Sequence, residues 1–312
     1  MTNAILAAAG AGVLAALTFL SLPLTGALGA VIFAYLAPLP LFLAGLGLGL
    51  TGAVIAGVAG ALAAALLSGG LIAALLFVLV YALPVVLFTR HALLARQGAG
   101  GRLDWYPPGR LLLWLAGYGL SGFLIAVALL AGAEGGVQGA VEQAFVDALA
   151  AMPAELAAGW QGADMAGLAR LAPGMVVASW LLMMVINAAL AQGVLARFGR
   201  NLRPGVRMAE VELPEWAGLA FVAATLAAAM LGGDVGLIAV TVAMALGLAF
   251  VFAGLAVVHA VLRGRPAKPI VLALVYVSFL LSWPVLFVAG LGIVEQWTGW
   301  RRRALAGADR ED

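Results

Sequence analysis

Long apolar runs separated by short polar segments make up most of this chain. No charged side chain precedes Arg90. A membrane-spanning helix needs about 20 apolar residues, and nine segments approach that length. They are Ala4–Leu22, Thr25–Leu39, Phe42–Leu67, Gly70–Thr89, Leu111–Gly132, Ala172–Ala196, Trp216–Gly232, Val235–Leu262 and Pro269–Val294. The pattern predicts an all-α polytopic integral membrane protein, a helical bundle of about 8–9 transmembrane helices.

Prolines interrupt two of these runs. The second run is short and ends in Pro38-Leu39-Pro40, so we expect a tilted or broken helix there. The last run contains Pro284. We expect one span, and a hairpin broken at Pro284 is the alternative.

The long segment 133–170 between the fifth and sixth predicted spans is polar overall and acidic. Within it, the stretch from Val137 to Met152 repeats apolar residues at helical spacing and is followed by Pro153. We expect an amphipathic helix lying on the outer membrane surface. A lid over a binding site is the alternative.

Composition supports one membrane domain over residues 1–312, with additional spans at 216–294 and a charged tail at 295–312. Hydrophobic residues make up 65% of the chain and charged residues 10%, against about 25% charged residues in globular proteins. The chain has no cysteine, which excludes disulfides and thiol catalysis.

Charge placement predicts orientation. Arginines and the single lysine cluster in three loops, near residues 90–110, 197–207 and 263–268. The positive-inside rule places these loops in the cytoplasm of a bacterial inner membrane, with the N-terminus cytoplasmic as well. Arg301, Arg302 and Arg303 resist this scheme, because a ninth full span would send them outside. The basic residues sit in loops between spans, so nucleic acid is not an expected partner; the lipid bilayer is.

Small residues recur every four positions in the first and third runs, which allows close helix contact in lipid. On the first run, Ala7, Ala11 and Ala15 share one face, and Ala8, Gly12 and Ala16 share another. The expected helix-packing residues of the third run are Gly45, Gly49, Gly52, Gly57 and Gly60. The glycines also match a dinucleotide fingerprint formally, but no strand precedes them.

Few polar residues lie within the predicted spans. Charged residues fall in loops or at span edges, and the two histidines, His91 and His259, are far apart in sequence. We therefore expect no metal site, no cofactor and no enzymatic activity. The candidates for binding a ligand are Asn187, Gln192, Trp180 and Tyr81. Structural amides that bridge neighbouring helices are the alternative.

Several stretches resemble the YybS-like predicted membrane proteins over nearly the whole chain. The most specific is the C-terminal Gly290-Leu-Gly-Ile-Val-Glu-Gln-Trp-Thr-Gly-Trp-Arg-Arg-Arg303; Ala37–Gly49, Asn187 with Gln192, and Gly254–Gly264 share the resemblance. The N-terminal half is also similar to the substrate-binding S-components of energy-coupling factor (ECF) transporters. That resemblance implies a six-span unit over residues 4–195. It also implies docking of a transmembrane and an ATPase subunit on Ala7, Ala11 and Ala15.

Two functions follow from these resemblances. The leading expectation is an S-component-like subunit that binds a small vitamin-like or apolar solute for uptake, driven by a separate ATPase. The segment 133–170 would gate its site. The alternative is a non-transporting scaffold for cell-envelope or division proteins, like MreD, whose fold is similar to that of S-components.

Overall fold

The computed structural model describes residues 2–21, 26–98, 101–133, 135–152, 164–281 and 283–301. Helices dominate it, because a helix satisfies its own backbone hydrogen bonds in an apolar solvent. In chain order the elements are α1 Thr2–Phe19, α2 Gly26–Leu36, α3 Pro38–Ser68, α4 Leu71–Phe77, a π-helical segment Val78–Ala82, α5 Leu83–Ala92, β1 Ala95–Gln97, β2 Leu103–Trp105, α6 Pro108–Leu130, α7 Gly136–Ala150, α8 Met165–Arg197, a 3₁₀ turn Met208–Glu210, α9 Trp216–Met230, α10 Gly233–Val261, α11 Lys268–Ser278, a 3₁₀ turn Phe279–Leu281 and α12 Pro284–Thr298.

The chain divides into two compact units. Unit 1 comprises Met1–Leu115 and Leu182–Arg207, and unit 2 comprises Ala116–Leu181 and Met208–Asp312. The boundaries fall inside α6 and α8 and not near residue 195. The six-span unit 4–195 therefore stays a prediction.

In unit 1, α1 and α3 pack through small residues. A Cβ on Gly12 would collide with the carbonyl oxygen of Ala56 and lie 2.8 Å from the amide nitrogen of Gly60. A Cβ on Gly60 would lie 2.5 Å from the ring of Phe77. Backbones approach this closely only where side chains are absent, which is the usual way helices associate in lipid.

Helix α2 is too short to cross a membrane. Its 11 residues extend about 16 Å, roughly half of the hydrocarbon thickness. Pro38 and Pro40 have no N–H to continue its hydrogen bonding, so a new helix starts at Pro38. Thr25, where the predicted second span began, lies outside the described residues. Within the described residues, three candidate spans begin before Arg90, where four were expected. The cytoplasmic N-terminus stays a prediction.

Helix α3 is kinked at Gly49, where the backbone has φ +85° and ψ −174°. Essentially only glycine adopts this combination of backbone angles. The carbonyl of Leu46 would normally accept a bond from residue 50, across the kink. Instead it accepts one from the backbone N–H of Leu202, at 3.3 Å. A loop residue from the end of unit 1 thus satisfies the broken helix.

In unit 2, α10 packs against both α9 and α12. The rings of Phe221 on α9 and Phe250 on α10 lie 5.3 Å apart. A Cβ on Gly254 would collide with the carbonyl oxygen of Val288, and one on Gly292 with that of Phe250. The later residue of α10, Gly254, contacts the earlier residue of α12, Val288, and Phe250 contacts Gly292. The two helices are therefore antiparallel.

The predicted last span is two helices, α11 and α12, bent by 118°. Pro284 is at the start of α12, a position that suits a residue without an N–H. The bend fits a broken span or a re-entrant loop. The expected single span, broken at Pro284, and the hairpin alternative are both compatible with this bend.

The acidic segment contains the predicted helix as α7, whose end at Ala150 precedes Pro153, outside the described residues. The Asp234 carboxylate, in the first turn of α10, accepts a 2.9 Å bond from the N–H of Gln138. Negative charge at a helix N-terminus is favourable. Arg170 donates to the carbonyls of Ala228 and Leu231 at the end of α9. These two charged side chains therefore stabilise helix ends.

The span count needs correction. Within the described residues, six helices are long and apolar enough to cross a membrane, or seven if the bent pair is counted as one span. The predicted 8–9 is too high, because proline shortens α2 and α9 has only 15 residues. The polytopic all-α architecture is confirmed.

Candidate functional site

Asn187 and Tyr81 both donate to the last carbonyls of α2. The amide nitrogen of Asn187 lies 2.7 Å from the carbonyl oxygen of Tyr35 and 2.8 Å from that of Met183. The hydroxyl of Tyr81 lies 3.5 Å from the carbonyl oxygen of Ala34. A helix leaves its last four carbonyls without partners inside the helix. Here Asn187 of α8 donates to the carbonyl of Tyr35, and the carbonyl of Ala34 accepts from the Tyr81 hydroxyl and from the backbone N–H of Ala37.

Asn187 is 1% exposed, and its remaining polar atom has no partner. Both N–H groups are used, but the side-chain oxygen Oδ1 accepts no hydrogen bond. The Oγ1 of Thr89, also fully buried, likewise has none. A buried acceptor without a donor is costly. This oxygen is the part of the predicted ligand site that is available to a hydrogen-bond donor.

Gln192 has a different role from Asn187. Its side-chain nitrogen donates to the carbonyl oxygen of Arg203 at 2.6 Å, and that of Asn201 donates to the same oxygen at 2.8 Å. These bonds fix the backbone of the loop that follows α8. The side chain of Gln192 therefore contacts the loop after α8 and not the end of α2.

Arg203 is buried, 7% exposed, and joins two loops of unit 1. Its guanidinium donates to the carbonyl of Ala92 at 3.0 Å and to that of Tyr106 at 2.9 Å. It also lies 5.9 Å from the ring of Trp105, within reach of a cation–π contact. Ala92 is the last residue of α5, where a positive charge is favoured.

A short hairpin and an aromatic cluster adjoin this arginine. Strands β1 and β2 are antiparallel, and the Arg96 and Asp104 side chains lie 3.7 Å apart on one face. The rings of His91 and Trp114 lie 4.4 Å apart, and the Trp114 indole N–H donates to the Tyr106 hydroxyl at 3.1 Å. Sequence analysis identified the basic loops but not this ordered structure.

Trp180 belongs to unit 2, whereas Asn187, Gln192 and Tyr81 belong to unit 1. Its ring stacks on that of Tyr118, at 5.7 Å and 23° between planes. The structure therefore brings together Asn187 and Tyr81, and describes Gln192 and Trp180 in other settings.

The predicted docking residues of α1 differ in exposure. Ala7 is exposed, Ala11 is half-buried and Ala15 is fully buried. Among the predicted packing glycines, a Cβ on Gly45 would collide with the Thr89 hydroxyl, and one on Gly57 would lie 3.2 Å from the Cβ of Ala82. A Cβ on Gly52 would lie 2.7 Å from the carbonyl oxygen of Ala44.

A polar cluster around Arg301 was assigned to a charged tail by sequence analysis. Arg301 is 4% exposed, and its guanidinium lies 2.9 Å from the carboxylate of Glu212 and 3.7 Å from that of Glu295. It also donates to the carbonyl of Ala209 at 2.9 Å. The side chain of Gln296 donates to the carbonyl of Pro214 at 2.9 Å.

A cavity of about 70 Å³ borders this cluster; its polar lining side chains are Glu212, Glu215, Glu295, Gln296 and Arg301. Vitamin-sized ligands occupy pockets of about 300–1,000 Å³, so this cavity suits only water or a small ion. Across the described ranges, no three histidine or acidic side chains converge as metal ligands.

A signal for this cluster was present in the sequence. Glu295, Gln296 and Arg301 all belong to the C-terminal stretch that carried the strongest resemblance. Gly299 ends α12 in the left-handed conformation, with φ +62°, and so turns the chain back. Arg302 and Arg303 lie outside the described residues.

Comparison with known proteins gives one match. A family model described as "Predicted membrane protein (DUF2232)" matches residues 12–295. Neither a curated protein nor a solved structure matches the chain.

Proposed function

We propose, since the chain belongs to the DUF2232 family of predicted membrane proteins, that it is a non-transporting scaffold of the bacterial inner membrane. Its partners would be proteins of the cell envelope or of division. Of the two functions expected from sequence, this one is better supported by the geometry of unit 1.

The use of the intramembrane polar side chains carries this proposal. The donors of Asn187, Tyr81 and Gln192 all bond to backbone carbonyls within unit 1. A solute-binding site needs polar groups that face a cavity. Side chains committed to helix ends and loops instead hold the fold in one conformation, as a scaffold requires.

The outer face of α1 is the proposed partner surface. Ala7 is exposed, and a Cβ on Gly10 would meet open space. The opposite face, with Gly12, is closed by α3. Small residues on a free helix face allow another membrane helix to approach closely.

The test is crosslinking from this face in native membranes. A photo-reactive residue at Leu6, which is 65% exposed and lies one turn before Gly10, should capture an envelope or division protein. Ala7→Leu should abolish the capture without lowering the melting temperature of the purified protein. Leu14→Ala, which trims another exposed residue of α1, is the matched control and should retain it. Capture of an ATP-binding subunit would refute scaffolding and support transport.

A second function, S-component-like solute uptake with a separate ATPase, is favoured by one observation. The Oδ1 atom of Asn187 is buried without a partner, and a bound solute could donate to it. Mass spectrometry of the purified protein tests this directly. A co-purifying small molecule that is lost in Asn187→Ala would support uptake, and an empty protein would count against it.

The orientation is part of the proposal. We place the loop 197–207 in the cytoplasm by its arginines. Ala209, two residues beyond that loop, accepts a bond from Arg301. The end of α12 then lies on the cytoplasmic side as well. In this orientation the arginine at the end of α12 follows the positive-inside rule, which a ninth full span would have violated.

A further inference from the structure

The loops and helix ends around Arg203 have a strong positive charge. The described residues of unit 1 contain eight arginines and a single acidic side chain, Asp104, which gives a net charge of +7. Asp104 is already near Arg96, at 3.7 Å. Among the described residues, Arg90, Arg110 and Arg200 form no ion pair.

The buried Arg203 joins the three chain segments that carry the exposed residues Arg90, Arg110 and Arg200. Its bonds to Ala92 and Tyr106 bring the loop after α8 against the end of α5 and the start of α6. Arg200 lies three residues before Arg203, Arg90 two before Ala92, and Arg110 four after Tyr106. At no more than about 3.6 Å per residue, the Cα atom of each arginine lies within about 15 Å of the residue that anchors its segment at this junction.

Two of these arginines lie at the ends of apolar helices that are long enough to cross a bilayer. Arg90 is in the last turn of α5, and Arg110 is in the first turn of α6. Trp114, 50% exposed, follows Arg110 by one turn on the same helix face. Tryptophan is enriched at the boundary between headgroups and hydrocarbon. A cation one turn beyond that boundary is at the depth of lipid phosphates.

We infer that this face of unit 1, defined by Arg90, Arg110, Arg200 and Trp114, binds the headgroup of an anionic phospholipid. Arginine binds phosphate oxygens with two parallel hydrogen bonds. The acyl chains would lie in the hydrocarbon layer, against the exposed ring of Trp114. A lipid is the expected occupant because Arg90 and Arg110 lie at the ends of long apolar helices, next to the exposed ring of Trp114. The inference is independent of the scaffold proposal.

The test is native mass spectrometry of the full-length protein released from nanodiscs that contain phosphatidylglycerol or phosphatidylcholine. Phosphatidylglycerol should remain bound, and phosphatidylcholine should not. The triple variant R90A/R110A/R200A should lose affinity at least about tenfold. The triple variant R263A/R265A/K268A removes the same charge from another loop and should bind within about twofold of the wild type.

Equal losses in the two triple variants would overturn the inference, because they would indicate a general charge effect. Retention of phosphatidylcholine would do the same. Displacement of the lipid by glycerol phosphate would identify a soluble phosphate as the ligand, and displacement by a short RNA would identify a nucleic acid. If the triple variant fails to fold, the single variant Arg200→Gln, at an exposed position, should still weaken binding two- to fourfold, roughly the share of one arginine.

Discussion

The guanidinium of Arg301 lies 2.9 Å from the carboxylate of Glu212, and this contact joins the end of α12 to the segment that precedes α9. Glu295, 11% exposed at its side chain, lies on the other side of the same guanidinium. One buried arginine therefore compensates two carboxylates at the end of a membrane helix. From the sequence alone, residues 295–312 are predicted to form a charged tail.

Arg301→Ala should destabilise the protein by about 3–5 kcal/mol, because Glu295 would be left buried without its partner. Thermal unfolding in detergent measures this. Arg96→Ala removes an exposed member of an ion pair and should cost no more than about 1 kcal/mol. Equal effects of the two substitutions would show that the Arg301 cluster is solvated.

Gly254→Ala should destabilise unit 2, since the added methyl group would collide with the backbone carbonyl of Val288. Overpacking of this kind costs about 1–3 kcal/mol. Gly290→Ala is the matched control, because a Cβ there meets open space in the same helix pair. Unfolding midpoints of the two variants should differ, and identical midpoints would contradict the close contact of α10 with α12.

Gly49→Ala should cost about 1–3 kcal/mol, because an L-residue rarely adopts the backbone conformation of this kink. A Cβ at Gly49 would be 3.7 Å from its nearest neighbour, a methyl of Leu202, so the cost would be conformational and not steric. Gly193→Ala in the helical backbone of α8 should be neutral or stabilising. A stable Gly49→Ala variant would mean that α3 is straight.

Asn187→Ala should lower stability by about 1–3 kcal/mol in the absence of any solute, because the carbonyl of Tyr35 would lose its donor in an apolar setting. Gln143→Ala, which removes an exposed amide from α7, should have little effect. Denaturation of both variants in the same detergent provides the comparison. Unchanged stability of Asn187→Ala would point away from a structural amide and toward a ligand.

Apolar run length predicted most long helices well. The runs Phe42–Leu67, Gly70–Thr89, Leu111–Gly132 and Val235–Leu262 fall within or close to α3, the α4–α5 segment, α6 and α10. Run length fails where proline removes an N–H inside an apolar stretch. Hydropathy does not change at Pro38 or Pro284, but the helix begins anew at both.

The polar sites were harder to predict, because their partners are distant in sequence and are often backbone atoms. The sequence indicates that Asn187 is a buried amide, but it does not indicate that its partner is the backbone carbonyl of Tyr35. Arg203 looked like any loop arginine, although its burial depends on carbonyls at Ala92 and Tyr106. Arg301 depends on Gly299, whose left-handed conformation reverses the chain.

Single-cysteine labelling tests the central claim most directly, since the chain has no cysteine of its own. The claim is that apolar helices cross a bilayer with the loop 197–207 and the end of α12 on one side. With an impermeant thiol reagent on spheroplasts, Gln143→Cys should react, while Gly205→Cys and Trp300→Cys should react only after the membrane is opened. Labelling of Gly205→Cys and Trp300→Cys from opposite sides, or a protein soluble without detergent, would contradict the account.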